Sequence, residues 1–248
     1  MSETSQAAFE SRDYVAQYEA WYATPFGRLA DVLERRMLDE LLAPLAPPAR
    51  VLEVGCGTAH FGLALARSGF RVVGCDPAHA MLRAAAPRVP PLEGLVQADG
   101  LRLPFADGAF EAAVLVAVLE FVRDPAALLA EARRVARERV VVLTVDRHSY
   151  LALRRRLAGR RGHPVFAHAR YHTRRELVAL AESAGARVLA LRAGLVLPPL
   201  LAGRLAGLEL QLARLAPPGA GLVALALSGG AAGAAAHTAP PSGRASTS

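Results

Sequence analysis

The stretch Val51-Leu52-Glu53-Val54-Gly55-Cys56-Gly57-Thr58-Ala59 constrains this chain more than any other part of it. A β-branched, apolar run stops at two glycines spaced by one residue, where a helix should begin. The same grammar returns in Arg71-Val72-Val73-Gly74-Cys75, which ends on Asp76. Glycines let a backbone press against a ligand, and a carboxylate at the next strand's tip can hold a ribose diol. The pair of features predicts a pocket for a nucleoside-containing cofactor.

Beyond this turn the chain alternates between strand and helix patterns. Strands are expected near 50–54, 71–75, 93–97, 111–117, 139–145, 186–192 and 221–227, with helices near 58–69, 77–86, 125–137 and 174–184. Asp76-Pro77 and Asp124-Pro125 each read as an N-cap followed by proline at the first helical position. Thr173-Arg174-Arg175-Glu176 reads as a capping box, and Gly185 closes that helix. The implied fold is α/β, a doubly wound, seven-stranded, mostly parallel sheet covered on both faces. Ahead of it, residues 7–47 look helical with a break near 23–27, and the second helix is expected near 28–44. Residues 1–47 are therefore read as a helical cap or lid, and 48–227 as the main domain. Two connections, 146–172 and 193–219, are too long for the repeat and read as insertions on the acceptor side. Within the second, 200–215 reads as a weakly amphipathic helix. The tail 228–248 has no hydrophobic period and reads as disordered.

Charge needs a qualified reading. The formal net charge is +7 and all 29 basic residues are arginine, a pattern that genome composition alone can produce. Nine of these arginines fall between 147 and 175, so net charge is not read as function. Cys56 and Cys75 stand at strand ends without metal-site or Cys-x-x-Cys spacing, which points to buried thiols in a reducing cytoplasm and to no metal site. The N-terminal residues lack the basic-then-apolar order of a signal peptide, and no apolar run reaches the ~18 residues of a membrane span. The expected location is the cytoplasm.

The nucleotide can be narrowed by elimination. A dinucleotide fingerprint would place a third glycine where this chain has His60, and a phosphate-binding loop needs a lysine that the chain lacks. What remains is a glycine turn suited to a cofactor without a pyrophosphate.

At this point the residues resemble a known family. Val51 to Ala59, Asp76-Pro77 with Met81-Leu82, Asp99-Gly100, Leu103-Pro104-Phe105, Asp107 to Ala113 and Val118 to Val122 follow one another as in class I S-adenosylmethionine-dependent methyltransferases. The subgroup is similar to the small-molecule enzymes of ubiquinone biosynthesis, and the resemblance covers about residues 50–145. It implies a Rossmann-like methyltransferase fold with S-adenosylmethionine as cofactor. By position, Gly55, Cys56 and Gly57 would wrap the methionine end, with Glu53 beneath it near the amino group. Asp76 would accept the ribose hydroxyls, with Pro77 and Met81 against the adenine. Asp99 would take the exocyclic amine and the Gly100–Leu101 backbone the ring edge, while Val116 and Ala117 would lie beside the sulfonium. The third family glycine is Ala59 here, a departure expected to be tolerated. Each residue also has a bland reading: Asp76 as a helix cap, Asp99 as a turn residue, Met81 as core.

Methyl transfer needs a nucleophile placed opposite the sulfonium and water excluded, and a base only if the acceptor must first lose a proton. The segment Val116-Ala117-Val118-Leu119-Glu120 lacks the Asn/Asp-Pro-Pro-Tyr-like motif of amino-directed nucleobase enzymes, which argues against nucleic acid as partner. Tyr14, Tyr18, Trp21 and Tyr22 form one stripe on the first helix, read either as a staple on the sheet or as a lid over cofactor and acceptor. Tyr18, Trp21, Tyr22 and Arg147 are the expected acceptor-side residues. Catalytic roles stay open, with Tyr150, His172 and Glu120 as candidates. The expected activity is methyl transfer to a small molecule. The rivals are an RNA methyltransferase using the 147–175 arginines and an inactive cofactor-binding partner protein.

Overall fold

The fold follows from strands that cannot stand exposed. In the computed structural model, which describes residues 7–197, 201, 205–215, 217 and 219–230, β4 (Phe110–Val116) has no exposed position and β5 (Ala136–Val145) only two. Such valine- and alanine-rich strands are stable only with both faces covered. They lie at the centre of a seven-stranded sheet with β1 (Arg50–Val54), β2 (Arg71–Asp76), β3 (Gly94–Gln97), β6 (Val188–Gly194) and β7 (Leu222–Ser228), in the order β3-β2-β1-β4-β5-β7-β6. The pairs from β3 through to β5 are parallel, and β7 runs antiparallel to both β5 and β6. All seven strands form within a few residues of their expected places, in a mostly parallel sheet.

Around the sheet lie helices α1 (Arg12–Tyr22), α2 (Pro25–Leu42), α3 (His60–Arg67), α4 (His79–Ala85), α5 (Pro125–Val135), α6 (Tyr150–Arg160), α7 (Arg174–Ser183) and α8 (Ala206–Arg214), with short 3-10 turns at Ala86–Arg88 and Leu119–Phe121. One core layer joins Leu33, Met37 and Leu41 of α2 and Phe61 and Leu65 of α3 to Val51, Val114 and Leu143 of the sheet. The other joins Leu128 and Leu129 of α5 and Leu177 of α7 to Leu52, Val54 and Leu115. Odd and even positions of β1 thus serve opposite layers, as the two-residue period of a strand requires.

Several caps form as the sequence implies. Asp124 accepts from Ala127 N at 2.9 Å with Pro125 at the first helical position, and Thr173 and Glu176 make the reciprocal capping box. Asp76-Pro77 departs from expectation. The helix starts at His79, not at Pro77, and its N-cap residue Ala78 contributes no side-chain bond. The first-turn N–H groups of His79 and Ala80 donate instead to the two carboxylate oxygens of Glu10, at 2.8 and 2.9 Å. A residue almost seventy positions upstream supplies this cap, out of reach of any local pattern.

The long connections contain structure of their own. Ser149 caps α6 through Ala152 N, so a helix occupies the middle of the 146–172 segment. In the second connection, Glu209 of α8 is fully buried and accepts from Val196 N and Leu197 N, both at 2.8 Å. The expected disordered tail begins inside β7, because Ser228 is paired with Arg139 and Gly230 N donates to Arg133 O. The remainder of that expectation, 231–248, lies outside the described residues. No helix among the described residues is long and apolar enough to cross a membrane.

Phe110 is fully buried at the start of β4, meets Phe105 edge-on and carries the Arg50 guanidinium 4.8 Å from its ring centroid. Phe110→Ala is expected to lower unfolding free energy by about 3–5 kcal/mol in urea titrations, the usual range for emptying a large aromatic site.

Candidate functional site

The tips of β1 and β2 are tied together by their own backbone. Gly55 N and Cys56 N both donate to Cys75 O, at 2.8 and 2.9 Å. The chain then turns through Gly55, Gly57 and Ala59, all left-handed, with φ of 70°, 53° and 61°. A Cβ on Gly55 would also stand 2.6 Å from Val118 Cγ2, so the position excludes any side chain on two grounds. Ala59, where the related pattern has glycine, is fully buried and holds the left-handed conformation at a cost of about 1–2 kcal/mol.

Asp76 locks this turn. Its Oδ2 accepts from Gly57 N and its Oδ1 from Ala78 N, each at 2.8 Å. Burial raises its pKa above the ordinary carboxylate value, and the two N–H bonds offset part of that rise. The carboxylate is a cross-tie between two loops rather than the helix cap that its sequence context suggests. Its two oxygens keep further lone pairs, because a carboxylate can accept about four bonds.

A cavity of about 460 Å³ opens where these tips meet. Its floor consists of Val54, Gly55 and Gly57 after β1, Asp76, Pro77 and Met81 after β2, Asp99 and Gly100 after β3, and Val116 to Val118 after β4. This is the carboxyl edge of the sheet where β1 and β4 lie adjacent and the winding direction reverses, the place where open α/β sheets bind ligands. Of the sequence-derived floor residues, Glu53, Cys56 and Leu101 do not line it. Cys56 is buried, with its sulfur 2.9 Å from where a Cβ of Gly74 would be. Leu101 N donates to Asp99 Oδ1 at 3.1 Å, a turn that presents Asp99 at the rim.

Glu53 lies beneath the floor, 2% exposed, with no hydrogen-bond partner for Oε2. Burial pushes its pKa up to about 8, partly offset by the Gly62 N–H, while Asp76 adds to the rise. A buried acid with one oxygen unpaired under a glycine turn is costly for stability.

The roof is α1. None of its residues is fully buried, yet Tyr14, Gln17, Tyr18, Trp21 and Tyr22 all line the cavity. Tyr18 and Tyr22 share a hydroxyl–hydroxyl bond of 3.1 Å, and Tyr22 stacks on His60 with centroids 3.8 Å apart. Burial raises the pKa of Tyr14 to about 12 and that of Tyr18 further, so both phenols are neutral. The helix is fastened over the turn by polar latches. Glu19 accepts from Thr58 Oγ1 and pairs with Arg88, whose NH1 also reaches Thr58 O at 3.4 Å. Glu10 caps α4 as described. Staple and cover are thus one arrangement.

The acceptor-side expectations fare unevenly. Tyr18, Trp21 and Tyr22 line the cavity, but Arg147 points away and pairs with Glu176. Tyr150 is 58% exposed at the start of α6, outside the cavity. His172 is half-buried, bridged to Asp146 and absent from the lining; burial lowers its pKa. Glu120 does not face solvent or an arginine: it is buried, and its Oε1 accepts from Thr144 Oγ1 at 2.7 Å and Val145 N at 3.1 Å. Those bonds pin the tip of β5. In place of these residues α6 turns Leu151, Arg154, Arg155 and Ala158 inward, with His163 and Phe166 from the following loop. Glu34 of α2 also lines the cavity. Its signal was present in the sequence, as a lone acid in the row Ala30, Glu34, Met37, Leu38, Leu41 that otherwise faces the core.

Two outcomes follow. Glu53 binds its proton more tightly folded than unfolded, so its contribution is fully present below about pH 4.5 and is lost as pH rises towards 8. Glu53→Gln should flatten the fall in stability over that window, read from urea midpoints of the ligand-free protein. Arg88→Ala should raise the rate of proteolytic cleavage within α1 by up to about fivefold, since a half-exposed ion pair contributes at most ~1 kcal/mol.

Comparison with known proteins agrees with this geometry. Residues 52–144 match the methyltransferase-domain family. An uncharacterized protein of Mycobacterium tuberculosis is 36% identical over 191 residues, covering 75% of this chain and 63% of its own length, so the chain spans somewhat under two thirds of that relative. A demethylmenaquinone methyltransferase of Corynebacterium kroppenstedtii is 40% identical over 107 residues, covering 43% of this chain and 45% of its own. Among solved structures, a possible histamine N-methyltransferase from Thermotoga maritima superposes with a TM-score of 0.70 at 24% identity, covering 90% of this chain and 99% of its own. Geranyl diphosphate C-methyltransferase from Streptomyces coelicolor, in complex with S-adenosyl-L-homocysteine, superposes with a TM-score of 0.60 at 19% identity, covering 80% and 79%. Residues 52–144 thus carry a methyltransferase-family domain, in a chain with the Rossmann-like fold of S-adenosylmethionine-dependent methyltransferases.

Proposed function

We propose that this protein transfers the methyl group of S-adenosylmethionine to a small molecule enclosed with it in the cavity. The observation that carries this reading is the closed geometry: a glycine-and-acid floor at the sheet's carboxyl edge faces an aromatic roof across about 460 Å³. A volume of that size fits small ligands. A roof latched through Glu10 and Glu19 leaves little room for a polynucleotide track. The relatives named above support a small acceptor, since two of them are named for demethylmenaquinone and geranyl diphosphate.

The residues fit the cofactor. Gly55 and Gly57 admit close backbone approach, and Asp76 retains lone pairs for the ribose hydroxyls, while Glu53 lies buried beneath them. Asp99, Pro77 and Met81 line the cavity together, so that Asp99 would accept from the adenine amine beside the apolar wall of the other two. When bound, S-adenosylmethionine would supply a methyl carbon activated by its sulfonium, to which the acceptor atom bonds as the carbon–sulfur bond breaks and S-adenosylhomocysteine leaves. The chain's own work is then positioning and exclusion of water. Of the 1–47 cap, α1 acts as lid while α2 packs on the sheet; 48–227 acts as transfer domain, and the 146–172 insertion shapes the acceptor side through α6. No catalytic base is assigned, because Tyr150, His172 and Glu120 lie off the cavity.

Calorimetry tests the cofactor assignment. Asp76→Ala should weaken S-adenosylmethionine binding at least tenfold, the equivalent of about 1.4 kcal/mol, while a melting curve reports that the fold survives. Equal affinity in the variant would remove Asp76 from the site. For the acceptor, transfer of labelled methyl groups is measured in fractionated cell extract. Label is expected in the small-molecule fraction; label recovered only in RNA would overturn the proposed substrate class.

A further inference from the structure

We propose that Glu34 is the recognition point of an acceptor subsite, and that this subsite takes an apolar, ring-sized molecule presenting an O–H or N–H group. The inference rests on the methyltransferase reading and adds the chemical class of the acceptor. Glu34 belongs to the inward row of α2, whose other members pack the core. It lines the cavity, is only 7% exposed, and its Oε2 has no hydrogen-bond partner. An aliphatic side chain would serve packing better, because a buried polar atom without a partner costs about 1–3 kcal/mol.

The acid is not part of the neighbouring ion network. One turn away, Asp31 binds Arg35 Nε at 2.7 Å and His60 Nε2 at 2.7 Å, and Arg35 NH2 also contacts His60 at 3.0 Å. Arg155, the cavity cation that influences Glu34, has its guanidinium 5.2 Å from the centre of the Phe166 ring. Nor is Glu34 required by the cofactor. The groups suited to the cofactor's polar ends, Asp76 and Asp99, both sit at strand tips, whereas Glu34 is on α2 beside the roof. Around it the walls are aromatic: Tyr18, Trp21, Tyr22, Phe26 and Phe61. The Tyr18 and Tyr22 hydroxyls are already bonded to each other. A donor on the ligand would therefore find the Glu34 acceptor free among these rings, in a setting that otherwise rewards flat apolar surface. Burial, opposed by Arg155, pushes the carboxyl up to about 8 and disfavours a second acid beside it; ionised above that pH, the carboxylate accepts only. Specificity of this kind is sharp, because a ligand lacking the donor leaves Oε2 unpaired.

The test uses the full chain saturated with S-adenosylhomocysteine and three probes that share a ring system: 2-naphthol, 2-methoxynaphthalene and 2-naphthoate. Calorimetric titration above pH 8, where the carboxylate is ionised, is expected to rank 2-naphthol roughly tenfold or more above the other two. In Glu34→Leu the advantage over 2-methoxynaphthalene should vanish, and in Glu34→Gln, which keeps an acceptor oxygen, part of it should return. Unchanged S-adenosylhomocysteine affinity in each variant serves as the check that the fold and cofactor floor are intact. Equal 2-naphthol affinity in wild type and Glu34→Leu, or no binding of any probe, would overturn the subsite while leaving the methyltransferase reading in place. Failure of wild type to bind S-adenosylhomocysteine would bring down that reading, and the subsite with it.

Discussion

The carboxylate of Asp76 is the bond on which the functional end of this molecule depends. It ends β2, yet its oxygens hold Gly57 N in the turn after β1 and Ala78 N ahead of α4. Together with the double acceptance by Cys75 O, this fixes the tips of two neighbouring strands relative to each other. The turn so held contains three left-handed residues in five positions, one of them an alanine. Local strain of that kind persists only where surrounding bonds over-determine it. The same turn presents Thr58 to Glu19, so the cross-tie that shapes the floor also sets where the roof can dock.

Around this frame the chain keeps buried acids that a core built for stability alone would not contain. Glu34, Glu53 and Glu120 each have one carboxylate oxygen without a partner. Their situations differ. Glu120 satisfies its other oxygen twice and thereby orders the end of β5. Glu53 lies under the floor and Glu34 lines the cavity below the roof, and burial is the largest of the causes that raise both to about 8. Glu34, which lines the cavity, makes sense if a ligand supplies the missing donor. The cost appears as stability lost at neutral pH in the ligand-free protein.

Much of the floor was legible because its residues are neighbours in sequence as well as in space. Gly55 and Gly57 follow a strand, Asp76 ends the next, and Asp99-Gly100 follows the third; the alternation of strand and helix brings those tips to one edge. Legibility fell wherever a partner came from elsewhere. Asp76-Pro77 looked like a helix cap, but Glu10 supplies that cap from the far side of the chain. Arg147, Tyr150 and His172 were grouped by their shared insertion, while the register of α6 turns Arg154 and Arg155 inward and leaves Tyr150 outside. A helical face is defined only once Ser149 sets where the helix starts. Glu34 was hidden for a different reason: an acid inside an apolar row reads as noise until a cavity is seen in front of it.

By itself the sequence determined the parallel-stranded core, the glycine turn and the spacing of its acids, because two-residue and 3.6-residue periods and left-handed glycines act over a few residues. The tertiary structure alone decided which side chains face the cavity, which acids are left without partners, and how α1 is latched across the floor. Those outcomes depend on desolvation and on hydrogen bonds between residues far apart in the chain, such as Glu10 with Ala80 or Glu19 with Arg88. The physics of burial becomes specific only after the distant pieces have met.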